Sequence, residues 1–183
     1  MNTGFLIVRS VDASLAEDNR SSRSRYSGVD RVPPYPSDDD CEKDAIEDYV
    51  FGDYKNQTTN LISSLDRALQ LYRSLSGSKY KYEILFCSEG PDAVNRMEEE
   101  HLKIEHLGFD VASLRTDYWS IVADFSRNEW ALHFLNALNE FGLFRGRSDA
   151  EAYLREYRKH DEPDSNSLFI VVYVCRISVH GNH

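Results

Sequence analysis

An α/β or α+β fold is predicted: a single domain, a mixed β-sheet flanked by helices, and a long polar loop after the first strand. Three observations predict it. Residues 5–8 and 168–175 are short continuous apolar runs rich in β-branched and aromatic side chains, as strands buried on both faces are. Between them stand stretches whose apolar residues recur every three or four positions, the spacing of a helix with one buried face. The chain has 183 residues, 41% of them apolar, and a domain of that size buries roughly 70% of its unfolded surface around one core.

Phe5, Leu6, Ile7 and Val8 form the opening strand, read as central in the sheet because it is apolar on both sides. From about residue 12 to 36 the chain turns to Ser, Arg, Asp, Gly and Pro. Pro33, Pro34 and Pro36 hold that backbone extended. Residues 12–56 as a whole read as a long polar and acidic insertion.

Leu61, Leu65, Ala68, Leu69, Tyr72 and Leu75 fall on one helical face, and Gly77 ends the helix. A strand follows, carried by Tyr80, Tyr82, Ile84 and Phe86, and Ser88, Glu89, Gly90 and Pro91 break it. Pro91 suits the first position of a helix bearing Val94, Met97, His101 and Ile104, closed before Gly108. Residues 109–114 read as a short strand, and Thr116 or Asp117 as the cap of a helix carrying Trp119 and Val122.

Two capping boxes, Ser126 with Glu129 and Ser148 with Glu151, each predict a helix start. The first helix carries Trp130, Phe134, Leu138 and Phe141 and stops at Gly142 in the left-handed conformation. The second carries Ala150, Tyr153, Leu154 and Tyr157. Residues 168–175 close the sheet as a central strand. No internal repeat is read in the pattern.

The longest strongly apolar run has eight residues, against about 20 for a membrane helix. No membrane span is expected. No basic leader precedes residues 5–8, so no signal peptide is expected and the protein is read as cytoplasmic. Cys41, Cys87 and Cys175 are odd in number and spaced by 46 and 88 residues, which fits neither a disulfide framework nor a zinc site. Cys87 and Cys175 are read as small buried hydrophobes.

Thirty-one acidic against 21 basic residues give a formal charge of −10, the wrong sign for covering phosphates. Nucleic acid is therefore not an expected partner. Between positions 37 and 53 stand eight acidic residues and one basic, a net of −7 out of that −10. Such a run repels itself unless a basic surface meets it, so Asp38, Asp39, Asp40, Glu42 and Asp44 are the candidate residues for docking a basic protein partner. The alternative is a solvated acidic loop. A calcium loop from Asp38 would need Gly and a carboxylate where Lys43 and Tyr49 stand.

Ser88, Glu89 and Gly90, between a strand and a helix, are the candidate ligand-binding residues of an alternative reading, a small-molecule-binding protein or hydrolase. No glycine-rich phosphate loop occurs there, and Glu89 would repel an anion. Glu98 with His101 has the spacing of one di-metal helix but lacks a second such pair, and Glu129 shares a helical face with His133 yet is needed for its capping box. No Gly-x-Ser-x-Gly is present, and His180 and His183 stand in a polar terminus. No catalytic residue, metal site or cofactor is expected.

Three stretches carry a resemblance. Residues 107–111 read Leu-Gly-Phe-Asp-Val, residues 117–121 read Asp-Tyr-Trp-Ser-Ile, and residues 138–144 run from Leu138 through Asn139, Phe141 and Gly142 to Phe144, with 150–157 following. The pattern resembles small uncharacterised bacterial proteins that include immunity-type proteins of toxin systems. That resemblance implies an inhibitor that binds a toxin without catalytic residues, and it carries over no site positions. The expected function is thus a cytosolic protein-binding module.

Overall fold

The computed structural model describes residues 3–10, 40–41, 61–78, 81–95, 97, 102–113, 119–122, 129–160 and 169–179. Strands β1 (Thr3–Ser10), β2 (Lys81–Ser88), β3 (Leu102–Ser113), β4 (Trp119–Ser120) and β5 (Phe169–Val179) form one sheet in the order β1-β2-β5-β3-β4. Each of its pairings is antiparallel. The fold is thus α+β, the second of the two predicted classes, and the sheet is antiparallel rather than mixed.

Helices α1 (Leu65–Ser74) and α2 (Arg147–His160) lie on the same face of that sheet. Side chains alternate across a strand, so Phe5, Ile7, Ile84 and Phe86 meet Ala68, Leu69 and Leu71 of α1. Val111, Phe169 and Val171 meet Ala150, Tyr153 and Leu154 of α2 on the same side. Leu6, Val8, Leu85, Cys87, Val172 and Val174 form a third buried cluster on the opposite face.

The two halves of the molecule repeat one design, which the sequence reading missed. Phe5 pairs with Phe86 and Phe109 with Tyr173, so β1 and β2 correspond to β3 and β5. Beyond each outer strand a short bridge closes the edge: Phe5 exchanges backbone bonds of 3.0 and 2.9 Å with Ile62, and Phe109 bonds of 2.9 and 2.8 Å with Phe144. Helix α1 starts three residues after Ile62, and α2 starts three residues after Phe144. Six residues after each bridge an alanine, Ala68 or Ala150, is fully buried under the helix.

The halves are related by a pseudo-twofold axis through β2 and β5. Gly4 pairs with Cys87 and Gly108 with Val174, which makes Cys87 and Val174 counterparts, and they face each other across the seam. One step either side, Phe86 faces Cys175 and Ser88 faces Tyr173, as the axis requires.

A glycine opens each half because a side chain crosses there. A methyl at Gly4 would overlap Leu61 Cβ and stand 2.9 Å from Ile62 O. At Gly108 it would come 2.8 Å from both Leu143 Cβ and Phe144 O, at a φ of +146° that disfavours any other residue.

Several expected elements are corrected. The helix read between Pro91 and Gly108 is a short 3-10 turn at Pro91–Ala93 followed by the strand β3. Leu102, Ile104 and their exposed neighbours Lys103 and Glu105 alternate with period two, and that period prevails over the helical stripe of Val94, Met97 and Ile104. Trp119 and Ser120 pair with β3 as a strand rather than opening a helix. Strand β1 stands at the end of the sheet order, not its centre. Leu61 precedes the bridge residue Ile62 and lies outside α1, and Tyr72 is exposed while Leu71 is buried.

The helix expected from Ser126 to Gly142 is a nine-residue 3-10 segment, Glu129–Ala137. Its inward residues, Ala131 and Phe134, are three apart, as 3-10 geometry demands. Gly142 takes the left-handed conformation, φ 70°, in the turn that follows. Asn139 holds that turn: its Oδ1 accepts from the Phe141 and Leu143 amides, and its Nδ2 donates to Leu107 O at 2.6 Å. Ser148 does not begin the second helix, because α2 already includes Arg147, whose Nε engages Glu151 at 2.8 Å. Ser126 lies outside the described residues.

Candidate functional site

Of the acidic docking candidates, Asp40 is described, and Asp38, Asp39, Glu42 and Asp44 lie outside the described residues. Asp40 and Cys41 form a helical turn in which Asp40 is exposed. The Cys41 thiol donates to Ser74 O at 2.9 Å, in the last turn of α1. Gly77 lies against the same sulfur. A helix C-terminus carries partial negative charge, so the anchor places the residue next to the acidic Asp40 against an already negative end.

Ser88, Glu89 and Gly90 form the turn that ends β2, where the sequence placed the alternative site. The Ser88 hydroxyl is fully buried and donates to Gly90 O at 2.7 Å, so it is spent on the turn itself. Arg147, the first residue of α2, reaches over from the other half and donates from Nη1 to Glu89 O at 3.3 Å. A cation thus stands where the sequence suggested only a carboxylate.

Next to Ser88 across the seam is Tyr173, on the boundary between the α1 and α2 cores. A bulge in β3 between His106 and Gly108 shifts the alternation by one residue. It turns His106 and Phe109 toward the same face, either side of Tyr173. His106 stacks on Tyr173 at 4.3 Å with an interplanar angle of 10°, and Phe109 meets both rings edge-on at 5.3 Å. Burial lowers the imidazole from its ordinary range, against a raising bond to the Gly108 backbone. The counterpart pair in the first half, Phe5 and Phe86, is apolar and buried.

A second departure from the repeat lies on the opposite face. Asp110 occupies the position of Leu6, and the residue is 3% exposed. Oδ1 accepts from the Ser120 hydroxyl and the Val111 amide, both at 2.7 Å. A buried carboxylate costs several kcal/mol unless bonded, so Ser120 of β4 is tied to β3 by this group. The sequence reading passed over Asp110 as a strand residue. Its signal was an acid inside the apolar run Phe109, Val111 and Ala112.

On that face Arg176 spans three strands, holding Glu83 Oε1 at 3.2 Å and Glu105 Oε2 at 3.1 Å with its guanidinium 5.6 Å from the centre of the Phe141 ring. The neighbouring thiols are poor nucleophiles. Burial pushes Cys87 well above the ordinary thiol range, with Asp110 adding to the shift, and raises Cys175 to about 11.

Among the described residues no three or more His, Cys, Asp or Glu side chains gather as a metal would require. Glu129 and His133 do not share a face after all, since four residues of a 3-10 helix leave them about 120° apart. Glu98, His101, His180 and His183 lie outside the described residues. No described helix is long and apolar enough to cross a membrane. Compared with known proteins, the chain matches no family model, no curated protein and no solved structure.

Proposed function

We propose that the protein is a cytosolic protein-binding module, of the immunity-inhibitor kind, that engages a basic protein partner through an acidic surface including Asp38, Asp39, Asp40, Glu42 and Asp44. The observation that carries the reading is the anchoring of Cys41, which with Asp40 is the described part of this segment. The Cys41–Ser74 bond holds Cys41 at the negative end of α1, with the neighbouring Asp40 exposed. A concentration of like charge along the sequence stores repulsion that a basic surface relieves on contact, and it speeds the encounter. The polar groups of the described core support a binding role too, since Ser88 and Asp110 spend their bonds on the fold.

The test is capture from a native lysate by the intact protein and by a variant carrying Asp38→Asn, Asp39→Asn and Asp40→Asn, at low and moderate salt. Wild type should retain one basic protein in stoichiometric amount, released both by salt and by the variant. Retention that survives both treatments, or no retention at all, would sink the acidic-surface reading.

A second reading, a small-molecule site at the turn of Ser88, Glu89 and Gly90, has Arg147 in its favour. It suits a small anion, and Arg147→Ala should abolish binding of such a ligand while leaving partner capture intact.

A further inference from the structure

Strand β3 has an open outer edge ahead of the bridge that Phe109 makes to Phe144. The backbone bonds fix which residues face it. Phe5 spends its N–H and C=O on Ile62, so Phe86 opposite it turns to β5 and bonds Cys175. Cys175 thus has its own N–H and C=O turned to β2, away from His106. The same alternation runs on through Ile84, Ile177 and Ile104, and to Leu102 opposite Val179. The N–H and C=O groups of Leu102, Ile104 and His106 therefore point away from β5, and among the described residues nothing receives them. Strand β4 joins β3 at Ala112 and Ser113, at its far end.

The side chains along this edge complement themselves. Leu102 and Ile104 pack against the α1 core, so Lys103 and Glu105 stand exposed on the other face. Glu105 Oε2 takes Arg176, leaving Oε1 without a partner among the described residues, and Lys103 makes no ion pair there. When the edge pairs antiparallel with its own copy about a twofold axis at Ile104, Ile104 meets its equivalent, Leu102 meets His106, and Lys103 meets Glu105 on either side of the axis. Residues 103 and 105 form the pairs that lack mutual hydrogen bonds, whose Cα atoms approach to about 4.5 Å and whose side chains lie closest. Opposite charges stabilise such a pair, and like charges oppose it. A twofold axis at Lys103 or Glu105 would set like charges face to face, so the charges select one register.

We infer that the outer edge of β3 at residues 102–106 is an interaction surface for a second copy of the chain, the two edges joining antiparallel about Ile104. The backbone groups of Leu102, Ile104 and His106 supply the hydrogen bonds, as in other cases of strand addition to an open edge. The reciprocal Lys103–Glu105 pairs make the contact isologous, one surface meeting its own equivalent. The inference is independent of the acidic segment. So short a strip of strand is small beside a standard interface, and the dimer is therefore weak and depends on concentration.

The test is sedimentation equilibrium of the full chain at concentrations up to about 1 mM, in moderate salt that screens the formal charge of −10 on each copy. Wild type should rise from 21.1 kDa toward twice that mass. Lys103→Glu sets two acids opposite each other in each pair, and Glu105→Lys two bases, so each variant alone should associate about tenfold more weakly. Mixed in equal amounts, the two variants should regain the wild-type dimer, because the acids of one then face the bases of the other. Ile104→Pro removes the central outward N–H and no bond to β5, and it should stay monomeric with wild-type circular dichroism. A wild type that remains at 21.1 kDa throughout overturns the proposal and leaves the edge to a strand of another protein. Single variants that associate as wild type does, or a mixture no tighter than its components, overturn it too, because the copies then meet elsewhere. Should Glu105→Lys, beside Arg176, fail to fold, Ile104→Pro decides: a dimer as tight as wild type refutes the edge contact, and its loss supports it.

Discussion

Cys87 on β2 stands directly opposite Val174 on β5, and each is the other's counterpart in the two halves of the molecule. Cys175 is therefore one residue out of register with Cys87, and alternate residues of a strand point to opposite faces. The two buried thiols are sequence-distant neighbours that the sheet itself separates. Mild oxidant should leave them unpaired, and a thiol reagent should modify both only when denaturant opens the sheet. Rapid labelling of either in native protein would contradict the register.

Gly4 and Gly108 should behave alike. Alanine at either position collides with a bridge backbone oxygen and with the Leu61 or Leu143 side chain that crosses the strand. Each substitution should cost about 2–4 kcal/mol in urea unfolding, the range of overpacking combined with backbone strain. Gly77→Ala is the control. Among the described residues its methyl would meet only Cys41 Sγ at 3.7 Å, an ordinary contact, and should be close to neutral.

The same residues show what was legible in the sequence. The strands β1, β2 and β5 could be read because β-branched and aromatic runs have few other uses, and α1 because its apolar spacing is unbroken. The repeat was harder. It survives as a glycine-phenylalanine pair, 4–5 and 108–109, and as an alanine six residues beyond each bridge, 68 and 150. Too few positions are shared to stand out before the pairing is known. The second half of strand β3 was read, at 109–114, but its first half was hidden because Val94, Met97 and Ile104 mimic a helical stripe, while the 3-10 segment Glu129–Ala137 was hidden because its spacings suit an α-helix as well. The turn at Ser88, Glu89 and Gly90 was placed correctly, but Arg147, 58 residues away from Glu89, could join it only in the fold.

Asp110 and Ser120 should be energetically coupled. Ser120→Ala removes a donor from a carboxylate buried against water, which should cost about 1–3 kcal/mol. Asp110→Ala should cost at least as much, since the Val111 amide loses its side-chain acceptor too. In the double variant the losses should fall short of their sum by about 1 kcal/mol or more, because the second change removes a bond already gone. Additive losses would show that Ser120 is held by other contacts.

Alkali should unfold this protein through its buried acids. Cys175 is buried, and burial raises its thiol from 9.0 to about 11, against a lowering bond from Tyr173. Burial raises Cys87 and, in its turn, Tyr173 as well. A group whose pKa is raised by folding holds its proton longer in the native state than in the unfolded one, so its contribution is complete below the unfolded value and drains away as pH rises toward the folded value. For Cys175 the window is pH 9 to 11, and the loss cannot exceed about 1.4 kcal/mol per pH unit. Urea midpoints measured across that window should fall in wild type, less steeply in Cys175→Ala, and Tyr173→Phe should flatten the portion above pH 10. A Cys175→Ala slope equal to wild type would mean that the thiol ionises as freely in the folded chain as in the unfolded one, and the burial of β5 would then have to be reconsidered.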